Sequence, residues 1–240
     1  MSKSLLRLEG VHTHIEQYHI LHGVDFDVPA GQVTVLLGRN GAGKTTTLST
    51  IMGLWRARRG RILFDGEDIA ARPTPDIART GIDYVPEDMG IFSQLTVAEN
   101  MALAARKSAI DQARMDWIFD IFPALKQFWN LPAGALSGGQ KQMLSIARAV
   151  LEPGKLLLVD EPTKGLAPVI VSALLDAFRS LREERTILLV EQNFHFARSL
   201  GDRVAVMDDG RIVHTGTMAE LAADTDMQQR LLGLSLDAHQ

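Results

Sequence analysis

The sequence predicts an α/β fold with a parallel sheet, an antiparallel β part at its N-terminal end, and a helical subdomain inserted over approximately residues 88–150. Three observations carry this. Short, β-branched apolar runs at 33–37, 156–159 and 186–190 have the pattern of strands buried on both faces. A helix-length segment, 169–182, lies between the last two, giving the strand–crossover–strand rhythm of parallel pairing. Between about 87 and 149 the strand-like runs fade and helical spacing takes over. The whole chain, 1–240, reads as one domain.

In chain order, 5–11 and the stretch on to Val28 form short strands separated by polar turns. The buried run 33–37 leads into a glycine-rich loop and then a helix-length segment, 44–53. Residues 61–64 make a strand that runs into Asp65-Gly66, a turn pair. Residues 82–85 make another, stopped by Pro86. Helical spacing is clearest over 97–105 and 110–122. Near the end, 204–207 and 211–213 flank Asp208-Asp209-Gly210 as a hairpin. Residues 235–240 read as a frayed tail.

Composition narrows the function classes. With 240 residues, 46% hydrophobic and 22% charged, the chain can bury a sizeable core. A net charge of −4 argues against general nucleic-acid binding, which draws its affinity from a Lys/Arg excess. The absence of cysteine excludes disulfides, thiolate catalysis and Cys-ligated metal sites. No apolar stretch approaches the ~18–20 residues of a membrane span. The charged N-terminus is no signal peptide, so a soluble, cytoplasmic chain is expected.

Gly38-Arg39-Asn40-Gly41-Ala42-Gly43-Lys44-Thr45 matches the phosphate-loop pattern G-x-x-x-x-G-K-[ST]. It stands between a buried strand and a helix, as that chemistry requires, and so indicates a P-loop NTPase core. The glycines let the backbone curl so that several N–H groups point at one oxygen cluster, and the helix adds its positive end. Lys44 is expected to bridge the β- and γ-phosphates of ATP, Thr45 to hold Mg²⁺, and Thr46 to complete the cradle. The competing reading is a glycine-rich turn with an incidental lysine.

The run 156–159 ends in Asp160-Glu161. Ligands of a parallel sheet gather beyond the carboxyl ends of its strands. Asp160 is therefore expected beside Thr45, supporting Mg²⁺, and Glu161 nearer the γ-phosphate as the base or water-positioning group. A solvated Asp-Glu at a strand end is the bland alternative. A second glycine-rich helix start, Leu136-Ser137-Gly138-Gly139-Gln140, combines a natural N-cap with bared N–H groups. It is either only a capped helix or an anion site for a nucleotide held by another copy.

The phosphate loop, L-S-G-G-Q and Leu156-Leu157-Leu158-Val159-Asp160-Glu161, in that order, resemble the ATP-binding subunits of ABC transporters over essentially the whole chain. The resemblance implies an ATPase with ATP and Mg²⁺ as its ligands. It implies a head-to-tail dimer with a second ATPase chain, identical or paralogous, in which Ser137, Gly138, Gly139 and Gln140 contact ATP bound by that copy. It further implies transmembrane permease subunits, an indirect link to a substrate-binding protein, and a peripheral place on the cytoplasmic face of the inner membrane. Tyr18 stands where the family stacks an aromatic on adenine, with core packing as the alternative.

Three positions depart from the usual pattern. Glu87 replaces a glutamine and remains a possible oxygen ligand for Mg²⁺. Gln192 replaces a switch histidine; it can donate to the γ-phosphate but carries no proton near neutrality. Ala167 replaces an aspartate at the dimer contact. Val85-Pro86-Glu87, Gly165-Leu166-Ala167-Pro168 and Val190-Glu191-Gln192-Asn193 resemble the ATP-binding subunits of high-affinity importers of branched-chain amino acids or of urea and short amides.

Seven histidines remain. His12, His14, His19 and His22 cluster near the N-terminus; a strand-and-turn surface explains them better than a metal site. His195 lies close to Gln192 in sequence. Phe92 and Leu95 are expected either in the helical core or in a groove that grips a permease helix. Two other functions fit part of the pattern. A soluble ATPase of this type acting on ribosomes or DNA would carry a second nucleotide domain or long insertions. A P-loop phosphotransferase would need an acceptor pocket and have no use for residues 136–140.

Overall fold

The computed structural model describes residues 3–106 and 110–233; the tail expected at 235–240 lies outside them. Strands β1 (Ser4–Ile15) and β2 (Tyr18–Pro29) form an antiparallel hairpin closed at Ile15↔Tyr18. They run further than the apolar runs indicate. The register shifts between Leu8 and Val11 and between Thr13 and His14, so the alternation that marks a strand breaks midway. β3 (Val33–Gly38) leaves for a second sheet, while β4 (Ala57–Phe64) returns to pair with β1, and β5 (Glu67–Asp68) completes an antiparallel sheet of order β2-β1-β4-β5.

The second sheet adds β6 (Ile82–Val85), β7 (Leu156–Asp160), β8 (Thr186–Val190), β9 (Arg203–Asp208) and β10 (Arg211–Thr217) in the order β10-β9-β3-β8-β7-β6. Every neighbouring pair is parallel except β9–β10, the hairpin expected from Asp209-Gly210. All of β7 and β8 is buried. Alternation then divides their side chains between two cores. Leu36, Leu156, Leu158, Leu188 and Val190 pack under the antiparallel sheet with α1 (Lys44–Ile51). Val35, Leu157, Val159, Ile187 and Leu189 face the helices on the other side.

α2 (Thr74–Arg79) precedes β6. Between β6 and β7, the named helices are α3 (Val97–Ala104), α4 (Gln112–Ile121), α5 (Pro123–Gln127) and α6 (Gly138–Ala149), with a 3-10 turn at Ala133–Ala135. α7 (Pro168–Leu181) is the crossover from β7 to β8. α8 (Phe194–Leu200), α9 (Met218–Ala223) and α10 (Thr225–Leu232) follow.

Two ties position the site. Asp83 on β6 and Arg185, just before β8, are both buried and pair at 2.9 Å across the end of β7; Arg106, just after α3, adds a contact at 3.3 Å. At the other end, the Gly210 N–H in the β9–β10 turn donates to the Ala42 carbonyl (2.9 Å), and the Gly210 carbonyl accepts from His22 N–H (2.9 Å).

Candidate active site

Strand β3 carries the phosphate loop to the top of the parallel sheet. Gly38, at its end, admits no side chain: a Cβ there would meet the Met207 carbonyl oxygen of β9 at 2.3 Å. Lys44 opens α1 yet is only 4% exposed. Its ammonium curls back over the loop, donating to the carbonyls of Gly38 (2.9 Å) and Arg39 (3.1 Å), and lies 3.5 Å from Glu161 Oε1. Thr45 is exposed and Thr46 half-buried on the first turn of α1, whereas Ala42 and Gly43 are buried. Gly41 is exposed beside them.

Asp160 ends β7, fully buried, and neither carboxylate oxygen has a hydrogen-bond partner of good geometry. Burial pushes its carboxyl up to about 6; the Thr45 hydroxyl beside it tempers the rise, while Glu161 and Glu87 add to it. A buried, partnerless carboxylate facing a threonine hydroxyl at a helix start suits a small, hard divalent cation, which takes oxygen ligands. Thr45 and Asp160 therefore fit Mg²⁺.

Glu161 takes a left-handed backbone conformation (φ 46°), unusual for a non-glycine residue, and its N–H donates to the Val190 carbonyl at 2.9 Å. Its Oε1 accepts from the Gln192 side-chain amide at 2.5 Å, and that amide also donates to Asn40 Oδ1 at 2.6 Å. The chain Asn40–Gln192–Glu161 thus joins the phosphate loop to the catalytic candidate. The structure brings Lys44, Asn40, Glu161 and Gln192 into one cluster, with Asp160 and Thr45 adjoining.

Glu191 is the residue that sequence reasoning missed. It is buried and accepts from the Thr163 hydroxyl (2.7 Å) and the N–H groups of Thr163 (3.1 Å), Gln192 (2.9 Å) and Asn193 (3.0 Å). Burial pushes its carboxyl up, while these donors hold it down. It fixes the loop after β7 to the loop after β8. Its sequence signals were a charge ending an apolar strand and its place in Val190-Glu191-Gln192-Asn193, where only Gln192 was given a role.

At the start of α6, Ser137 Oγ accepts from Gln140 N–H (3.3 Å) and Gln140 Oε1 from Ser137 N–H (2.9 Å). This is a complete capping box, so the plain capping role of Ser137 and Gln140 is realised. Gly138 is exposed, and buried Gly139 packs on α7, where a Cβ would approach Ile170 Cγ2 to 2.6 Å. Among the described residues no hydrogen bond or ion pair links this turn to residues 38–46.

Other candidates fall elsewhere. Tyr18 is 61% exposed at the β1–β2 turn, so core packing is excluded for it. Glu87 pairs with Lys164 at 2.5 Å. His195 is exposed on α8, with no hydrogen bond to Gln192. His12, His14, His19 and His22 stack on the antiparallel sheet, with His12 Nδ1 3.0 Å from His19 Nε2 and centroids of His14 and His19 4.1 Å apart. No described group of three or more His, Asp or Glu is arranged to hold a metal ion. Phe92 is half exposed with its ring 5.3 Å from the Arg148 guanidinium, and Arg148 in turn lines a hollow of about 320 Å³ with Tyr84, Pro86, Met89, Ala104 and Ser145. Leu95 is half-buried, its carbonyl accepting from Ala133 N–H and the Asn100 amide, which ties its backbone into the helical region.

A phosphate loop on a buried central strand, an acidic pair ending the second strand along the sheet, and a capped glycine-rich helix start define a P-loop ATPase cassette. The chain belongs to the ABC transporter family: the family model described as ABC transporter matches residues 21–164. It is 40% identical over 232 residues, 95% of this chain and all of the relative, to the high-affinity branched-chain amino acid transport ATP-binding protein BraG of Pseudomonas aeruginosa. It is 34% identical, over 96% of this chain and 99% of the relative, to the probable branched-chain amino acid transport ATP-binding protein LivF of Archaeoglobus fulgidus. A solved ATP-binding subunit of an ABC transporter superposes with a TM-score of 0.80 at 30% identity, covering 98% of this chain and 97% of that one. The chain is accordingly an ABC-type ATPase, the nucleotide-binding subunit of a transporter. Among its described residues no helix is long and apolar enough to cross a membrane.

Proposed function

We propose that this chain powers an importer of branched-chain amino acids or related small polar solutes. It does so as a head-to-tail dimer with an identical or paralogous ATPase, docked on permease subunits at the cytoplasmic face of the membrane. The observation that carries the substrate class is 40% identity along the full length of BraG. The chemistry rests on the cluster of Lys44, Asp160, Glu161 and Gln192.

In this reading the N–H groups of residues 38–46 hold the phosphates of ATP, and Lys44 leaves its carbonyl partners for the β- and γ-phosphates. Mg²⁺, held by Thr45, Asp160 and Glu87, would neutralise charge developing on the phosphate oxygens. Glu161 accepts the proton of the attacking water, whose oxygen bonds to the γ-phosphorus as the bond to the ADP oxygen breaks. Gln192 holds Glu161 and donates toward the γ-phosphate. Ser137, Gly139 and Gln140 present the α6 N-terminus to the partner's ATP, so closure of the dimer is a population shift driven by ATP that touches both chains.

Deleting the gene and following uptake of labelled leucine and urea tests the substrate class. Loss of leucine uptake supports it; loss of urea uptake alone moves the assignment to the amide importers. Purified Glu161→Gln is expected to bind ATP normally and hydrolyse it at least a hundredfold more slowly; near-normal hydrolysis removes Glu161 from the mechanism.

A further inference from the structure

Three carboxylates converge at the ends of adjacent parallel strands: Glu87 shortly after β6, and Asp160 and Glu161 at the end of β7. Lys44 lies against only one oxygen of this group, Glu161 Oε1. The other oxygen, Glu161 Oε2, lies 3.6 Å from the ammonium of Lys164, and the same ammonium meets Glu87 Oε1 at 2.5 Å. Lys164 stands on the turn that follows Glu161, its N–H donating to the Glu161 carbonyl at 3.1 Å. It is thus the one described cation paired with Glu87.

Like charges crowded at a strand end require a cation. Here two could serve the same Glu87 carboxylate: the ammonium of Lys164 or the divalent ion that Asp160 and Thr45 fit. They compete for it, because both draw on the same single negative charge, although the second oxygen, Oε2, leaves room for another ligand. We propose that Lys164 is a positioning residue: it holds Glu87 against Glu161 in the metal-free site and yields Glu87 to the divalent cation when nucleotide loads. This rests on the metal-and-nucleotide reading of the site given above.

The exchange reaches beyond the site. The segment after Glu87 is anchored to α6: Ser145 Oγ donates to the Met89 carbonyl (2.7 Å), and Arg148 to that of Gly90. α6 is the helix that begins at the Ser137–Gln140 cap. Moving Glu87 from ammonium to metal therefore pulls on the loop that joins the sheet to the helical region, and links cation loading to the glycine-rich helix start.

The test is Mn²⁺ binding to the full chain in the presence of ADP, read by electron paramagnetic resonance, for wild type, Lys164→Ala, Lys164→Arg, Glu87→Gln and the double variant Lys164→Ala/Glu87→Gln. Lys164→Ala is expected to tighten Mn²⁺ by roughly two- to fivefold, the range an exposed ion pair supports. Lys164→Arg should stay near wild type, and Lys164→Ala should have no effect in the Glu87→Gln background. Unchanged or weaker Mn²⁺ binding in Lys164→Ala, or the same gain with and without Glu87, overturns the exchange. If wild type binds no Mn²⁺ with ADP, the reading of the site falls first and the exchange with it.

Discussion

Asp160 is costly where it stands: a carboxylate fully out of water, with no hydrogen-bond partner, at the end of a buried strand. Its folded pKa, raised to about 6, exceeds the ordinary carboxylate value. The contribution to stability is therefore present in acid and lost as pH rises through about 6. Asp160→Asn should stabilise the nucleotide-free protein by about 1–3 kcal/mol at about pH 8 and by little at about pH 4, while abolishing metal-dependent hydrolysis. Urea melts at the two pH values check it. Cation affinity follows the same group: protons compete below about pH 6, so Mn²⁺ binding should weaken by up to tenfold per unit there and level off above it. Lys44→Ala removes a charge-assisted contact to phosphate worth ~1.5–3 kcal/mol and should weaken ATP binding at least about tenfold by calorimetry.

Elements carry the next set of consequences. The start of α6 has its cap and its packing on different residues, so they separate by mutation. Ser137→Ala should cost about 1 kcal/mol of stability and leave packing intact. Gly139→Ala drives a methyl into the γ carbons of Ile170, and removing them in Gly139→Ala/Ile170→Ala should recover part of the loss in a thermal melt. What the sequence revealed follows element size. Strands 33–37, 156–159 and 186–190 were legible because full burial leaves an unbroken apolar run. The crossover helix was found to within a residue at either end. β1 was cut short because its register shifts break the alternation. α2 and α8–α9 went unseen because six or seven residues are too few to establish a helical period, and α10 has few apolar positions. In the site, glycine spacing exposed the phosphate loop, and the end of a buried apolar run exposed the acidic pair. Glu191 and Lys164 escaped because their partners, Thr163 and Glu87, come together only when β6, β7 and β8 lie side by side.

Across the whole molecule, stability concentrates where the sheet is pinned. Arg185 and Asp83 are both buried, and Arg185→Ala leaves Asp83 only its longer contact to Arg106, so it should cost about 1–3 kcal/mol in denaturant unfolding, and Arg185→Ala/Arg106→Ala more. The head-to-tail dimer proposed above, in its identical-chain form, adds a check on the site: Glu161→Gln with ATP should shift the chain from monomer to dimer in sedimentation velocity, and Ser137→Phe in the same background should prevent it. The turn of the last hairpin has a further consequence. Its Gly210 bonds at once to Ala42 of the phosphate loop and to His22 of the antiparallel sheet. Three distant stretches of chain meet at that one residue, and its N–H opens only when the bond to the Ala42 carbonyl breaks. Its amide is therefore a natural reporter: deuterium uptake there should slow when nucleotide fills the loop, even though the peptide itself never meets the ligand.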